Sequence, residues 1–367
     1  MKKIYALALG LATVFAAGAQ NDAKSLFNEG KQAEDAFNKN ITSAITTGQM
    51  APEHAYSLVT AYDFYLKALP LDSLPDAKGK VKPAVSKKIA TSFTNHVKQS
   101  SFTNAAIFLY QAGEQYPKAY RAFMIAGDLP RNPLTGKDGQ AVHDTIRAND
   151  YYNAGLCAYA AKAYAESAEA FRKSRLADPR NVDNFVYEIA SYQNLDFGGD
   201  EKLKEETIHA AAEEAYKIHG ASNIFIFNNY VNRYFNNDDI ETANRILTDA
   251  LQKDPANGNV YLLFGLLKNK EEKYAEAADC FRKAGELSNV YNTLLDACRQ
   301  LNLLGKVQLN AINYDAADAA AQKEAVKKDY FQKALEIANK AKALPDANGQ
   351  VNSIIDDINY SLETYFQ

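Results

Sequence analysis

Residues 151–179 read YYNAGLCAYAAKAYAESAEAFRKSRLADP, and the spacing inside this stretch decides the fold. Ser167, Phe171 and Ser174 stand four and then three residues apart, so a helix brings them onto one stripe in the order small, large, small. A second helix can then lie close on either side of the single anchoring ring. Tyr164 stands three residues before this triplet, Gly155 twelve before it and Tyr151 four earlier again. Asp178 and Pro179 close the stretch, and the proline ends the helix because it lacks the N–H that a continuing turn needs.

The triplet returns as Ala61/Tyr65/Ala68, Ala105/Leu109/Ala112, Ala243/Leu247/Ala250, Ala277/Phe281/Ala284 and Ala334/Ala338/Ala341, the last with Ala in the large place. A large apolar residue precedes each one: Leu58, Phe102, Ile240, Tyr274 and Phe331, as Tyr164 does in the first. Pro117 and Pro255 repeat Pro179, Asp254 repeats Asp178, and Gly265 repeats Gly155, with Ile189 and Val231 in that role in neighbouring helices. Phe185, Phe227 and Tyr261 repeat Tyr151. This combination resembles the tetratricopeptide repeat, a helix hairpin with a period of about 34 residues. Over 148–289 four markers agree in register; over 22–117 and 290–345 the match rests on the second helix of each hairpin. An unrelated bundle with alanine-rich seams is the alternative, but bundles rarely hold one register for so long.

The resemblance implies an all-α fold, a right-handed α-solenoid of such hairpins, because an isolated hairpin cannot bury its apolar face. The expected units are 22–70, 86–117, a degenerate 118–147, then 148–181, 182–222, 224–257, 258–289 and 290–345. Residues 20–147 form the divergent hairpins, 148–289 the well-matched ones and 290–367 the last hairpin and its cap, all in one continuous solenoid. The amphipathic stretch Val351–Phe366, with Ile354, Ile355, Ile358, Leu362 and Tyr365 on one face, reads as a capping helix. Residues 70–85 read as an exposed loop, 129–147 replace a second helix, and 194–200 lengthen one turn. Insertions on one side of a repeat array often line its binding face, with surface drift as the alternative. The alanine-rich run between Leu304 and Lys328 suggests helices extended past the usual length.

The chain opens Met1-Lys2-Lys3, continues with the apolar run Ile4–Ala17 and reaches Ala17-Gly18-Ala19 before Gln20. A basic start, a short apolar core and an Ala-x-Ala site make residues 1–19 a secretory signal. The run is shorter than the roughly 20 residues that a membrane span needs. No cysteine follows the cleavage site, so the expected product is periplasmic and not lipid-anchored. Removing Lys2 and Lys3 takes the formal charge from −4 to −6. Lys and Arg are scattered without a run, which argues against nucleic acid, since phosphate binding needs concentrated positive charge.

Catalytic and metal motifs are missing. His209 and His219 are ten apart on a helix, about 15 Å between backbones, too far to share a metal. There is no Cys-x-x-Cys, His-Glu-x-x-His or Gly-x-Ser-x-Gly. Leu134-Thr135-Gly136-Lys137 resembles only the tail of a phosphate loop: Arg131 stands where its leading glycine would be, and Asp138 follows the lysine. No enzyme activity, metal or cofactor is expected. Cys280 and Cys298 could meet in adjacent hairpins, but reduced, packed thiols are the expectation for all three cysteines, Cys157 included.

In tetratricopeptide arrays the first helices line the concave surface. The resemblance nominates Asn149, Tyr152, Asn153 and Leu156, then Asp183, Val186, Tyr187 and Ala190. It continues with Phe225, Asn228, Asn229, Asn232 and Asn236, then Asn259, Leu262, Leu263 and Asn269. None is Lys or Arg, so a carboxylate clamp is not implied. An asparagine amide carries both donor and acceptor and can match a peptide unit, and tyrosine adds contact area at low entropic cost. The expected function is a non-catalytic scaffold that holds a peptide or partner protein in the groove at Tyr152, Asn153, Tyr187, Asn228, Asn229 and Asn232. Some of these asparagines, with Asn236 and Asn237, could instead cap helices. An exported glycan-binding protein on the same scaffold is the competing class, since Asn and aromatic rings also suit sugars.

Overall fold

The computed structural model describes residues 2–75 and 80–366, with side chains from residue 21 onward. These residues form helices and turns, and none of them lies in a strand. The chain divides into two compact units, Met1–Thr207 and Ile208–Gln367.

The first unit runs through α1 (Lys2–Thr47), α2 (Pro52–Asp72), α3 (Ser86–Lys98), α4 (Ser101–Gln111) and α5 (Tyr116–Asp128). Two 3-10 turns, Leu129–Arg131 and Pro133–Thr135, and the short α6 (Gly136–Gln140) lead into α7 (Asp144–Ala160), α8 (Tyr164–Ala177) and α9 (Val182–Asn194). The expected cleavage site lies in α1, where side chains fall outside the described residues.

α10 (Glu201–His219) contains the unit boundary, and α11 (Ile224–Asn236), α12 (Ile240–Lys253), α13 (Gly258–Lys270) and α14 (Tyr274–Leu287) follow. The second unit ends with α15 (Tyr291–Asn310), α16 (Ala319–Val326), a π-helical turn Lys327–Gln332, α17 (Lys333–Lys342) and α18 (Gly349–Phe366).

Local chemistry sets these boundaries. The side chains of Asn181, Asn223, Asp239 and Asn257 accept backbone N–H groups at the starts of α9, α11, α12 and α13, satisfying donors that a helix cannot pair internally. Inside the hairpins, Lys162, Asp238 and Glu272 all take the left-handed conformation, with φ of 58°, 56° and 60°. The following N–H then reaches back five residues: Ala163 to Ala158, Asp239 to Tyr234 and Lys273 to Lys268, each at 2.9 Å. This Schellman closure recurs 34 residues apart at Asp238 and Glu272.

Every triplet member is buried except Ala112, which caps α4 and is exposed. Several expectations need correction. Pro117 does not end a second helix: it stands at the second position of α5, where the first orphan N–H groups make proline harmless. The segment after α5 does replace a second helix, but as packed turns: they bury Leu129 and Thr135 and lie against α3, and α7 already begins at Asp144.

The expected loop 70–85 begins later than Pro70, which lies inside α2. Asp72, 1 % exposed, accepts the backbone N–H groups of Ala84, Val85 and Ser86 and the Ser86 hydroxyl. These bonds overcome the cost of burial and hold its carboxyl below the usual value. Residues 76–79 of that loop lie outside the described residues.

α15 is long as expected, but the helix breaks over 311–318, where the Asn313 side chain accepts the Asp315 N–H and competes with helix bonds. In α18 the buried residues are Val351, Ile358 and Ser361, with Ile354, Ile355 and Leu362 half-buried. Tyr365 faces solvent, and its neighbour Phe366 meets Phe331 edge-on at 5.5 Å instead.

Candidate functional site

The outward faces of the first helices are fixed by what their inward faces touch. A methyl group on Gly155 of α7 would lie 2.7 Å from the Phe171 ring of α8, and one on Gly265 of α13 would lie 2.4 Å from Phe281 of α14. The glycine lets the helix axis settle directly on the ring, and both pairs are sixteen residues apart in the same register. The two hairpins are thus closed by one and the same contact.

No family model matches the chain, and no curated protein matches it either. Among solved structures it is similar to a TPR repeats protein from Bacteroides fragilis, at 14% identity and TM-score 0.31, covering 74% of this chain and 98% of that one. It is similar to yeast Tom70 at 14% identity and TM-score 0.34, covering 95% and 89% of the two chains. It is also similar to the TPR2AB domain of yeast Sti1, solved as a complex with pHSP90, at 14% identity and TM-score 0.22, covering 75% and 98%. The type of hairpin rests on the glycine-to-ring contacts and the repeated turns of this chain itself.

In the first unit, Tyr152 and Asn153 of α7 and Tyr187 of α9 are all half-buried. The Tyr187 ring stacks on Phe171 at 5.1 Å, and Tyr152 meets Tyr187 edge-on at 6.0 Å. Tyr159, which the sequence reading missed, joins them at 6.2 Å from Tyr187. Burial, aided by the negative charge of Asp183, raises the Tyr152 phenol above the usual tyrosine value, so it stays a donor.

In the second unit, Asn228 and Asn229 of α11 are half-buried and Asn232 is exposed. The Asn228 Oδ1 is shielded without a hydrogen-bond partner among the described residues, whereas the Asn229 Nδ2 donates to the Phe225 carbonyl of its own helix. Leu262 and Leu263 are core residues, 5 % and 2 % exposed, and drop out of the nominated surface.

A second site lies within the first unit. Glu34 of α1, 6 % exposed, accepts the Tyr65 hydroxyl at 2.8 Å, the Ser92 hydroxyl at 2.6 Å and His96 Nε2 at 2.8 Å. Burial alone would raise its carboxyl, but the bonds from His96, Ser92 and Tyr65 outweigh it and hold the pKa at about 2. An ionised carboxylate only accepts, so His96 Nε2 is the donor. His96 Nδ1 is buried with no partner.

His96 lines a cavity of about 320 Å³ whose wall also includes Asp150 of α7. Asp150 is 4 % exposed, accepts the Thr103 hydroxyl at 2.9 Å, and is pushed up to about 7 by burial. Sequence reading passed over this site because His96 stands alone in the chain and Glu34 lies 62 residues away. The available signal was a carboxylate on a buried stripe, Asp150 ahead of Ala154 and Cys157.

All three cysteines are free. Burial raises Cys157 and Cys298 to about 12 and Cys280 above its usual value, which keeps the thiols protonated and unreactive. Among the described residues no His/Cys/Asp/Glu group could hold a metal, and no helix is long and apolar enough to cross a membrane.

Proposed function

We propose that the protein is a non-catalytic scaffold of the cell envelope that holds an extended peptide or a partner loop against the outward faces of its first helices. One observation carries this reading: Tyr152, Tyr159 and Tyr187 meet edge-to-face on adjacent first helices, half-buried and anchored on Phe171. Rings held from below present a rigid surface that loses little entropy on binding. On α11, the exposed Asn232 offers an amide group that matches a peptide backbone, Asn228 keeps its Oδ1 shielded, and Asn229 spends one donor within its own helix. The contact surface has little charge, so affinity changes only weakly with salt.

Selection of random displayed peptides on the full chain tests this. Peptides so selected should bind the Tyr152→Ala variant about tenfold more weakly, as expected of an aromatic anchor. Asn232→Ala, an exposed change, should cost a few-fold in affinity and at most about 0.5 kcal/mol in stability. Peptides that bind both variants at parent affinity, or a chain that binds only glycans on an array, would remove the reading. The envelope location is supported by Lys2-Lys3, the apolar run and Ala17-Gly18-Ala19. Mass spectrometry of the protein from its native cells should find Gln20 at the N-terminus, and an intact Met1 start would overturn export.

A further inference from the structure

The cavity beside His96 is not used by the scaffold function, and its chemistry is specific. Asp150 is a buried carboxyl that no ion pair reaches among the described residues; its hydrogen bond comes from a neutral hydroxyl, Thr103. A carboxylate taken out of water needs a proton or a cation. His96, 4 % exposed, is fixed by Glu34 through Nε2, which leaves Nδ1 as its uncommitted ring nitrogen.

The remaining charged groups on the wall, Lys98 of α3 and Asp138 of α6, are paired with each other at 3.1 Å. α4 and α5 bring no charge to the wall; they supply Phe102, Thr103 and Ala126, while Val97, Leu129 and Val142 make much of the rest apolar. At about 320 Å³ the cavity is near the lower end of small-ligand sites and holds roughly ten waters' volume at about 30 Å³ each.

We propose that this cavity binds a small primary amine with an apolar body, its ammonium group held by Asp150 beside the unpartnered His96 Nδ1. A cation supplies what Asp150 lacks, and the apolar wall takes the rest of the molecule. An anion would be repelled by Asp150, and a neutral alcohol would leave the carboxyl without a charge partner.

Calorimetric titration of the full chain at pH 7 tests the site with benzylamine and n-butylamine, their isosteres benzyl alcohol and 1-butanol, and benzoate. At least one amine should bind at least about tenfold more tightly than its alcohol, the range of a charge-assisted hydrogen bond, and benzoate should not bind. Burial pushes the Asp150 carboxyl up to about 7, so pairing it with an ammonium group should release protons near neutral pH. Titration in two buffers of different ionisation enthalpy reads that release in the unaltered protein. Asp150→Asn should abolish both the amine preference and the proton release while the helical circular dichroism is kept. Failure of both amines to bind, equal affinity for amine and alcohol, or unchanged amine affinity in Asp150→Asn would each overturn the proposal.

Discussion

Phe281→Ala should destabilise the second unit by about 3–5 kcal/mol, read as a fall in the urea midpoint followed by circular dichroism. The side chain is 0 % exposed and fills the space against Gly265, with Ala277 and Ala284 on its own stripe. Truncation removes the ring's transfer energy and leaves a cavity that two helices cannot close without sliding past each other. The reciprocal change, Gly265→Ala, puts a methyl group against the same ring and should cost about 1–3 kcal/mol through overpacking. Because the two residues touch, the double substitution should cost less than the sum of the singles. Additive costs, or a Phe281→Ala midpoint equal to the parent's, would mean that the hairpin is held elsewhere.

Glu34→Ala should cost about 3–5 kcal/mol at neutral pH, since it leaves the Tyr65 and Ser92 hydroxyls and His96 Nε2 buried without their common acceptor. The sign of its pH dependence follows from the lowered pKa. Glu34 binds its proton more weakly when folded, near 2, than when unfolded, near 4.5. Its ionised form therefore contributes fully above about pH 4.5, and that contribution is lost as pH falls through about 2. The stability gap between parent and variant should narrow across this window. A gap that stays constant from neutral pH down to about pH 2 would show that Glu34 is not the charged acceptor of the cluster.

The hairpins were legible in the sequence because a helix pair in close contact writes its constraints locally. Gly155 and Phe171 need each other, and only a short turn separates them. The same contact at Gly30–Tyr65 and Gly305–Phe331 went unread, since longer segments intervene and shift the spacing. The packing of the turns at 129–140 on α3 was not legible, because α3 stands thirty or more residues earlier and neither carries a periodic pattern that names the other. The break at 311–318 escaped notice because alanine-rich composition favours helix, whereas one side-chain bond at Asn313 decides otherwise. Of the nominated surface, Tyr152 and Tyr187 lie together as the register implies. Leu262 and Leu263 do not face outward, since neighbouring helices cover both. The Glu34–His96–Asp150 region was invisible for a simpler reason: its members stand on α1, α3 and α7, more than fifty residues apart, and only folding brings them close.

The crossing of a small residue over a ring also bears on how such a chain can grow. The two ends of the contact stand sixteen positions apart in sequence at Gly155–Phe171, twenty-six at Gly305–Phe331 and thirty-five at Gly30–Tyr65. In the two longer cases most of the added residues are helical: α1 and α2 leave only residues 48–51 between them, and α16 and the π-helical turn fill much of the stretch from Gly305 to Phe331. The small residue and the ring therefore act as a pivot about which the arms of a hairpin have lengthened, while the turn that joins α1 to α2 has stayed short.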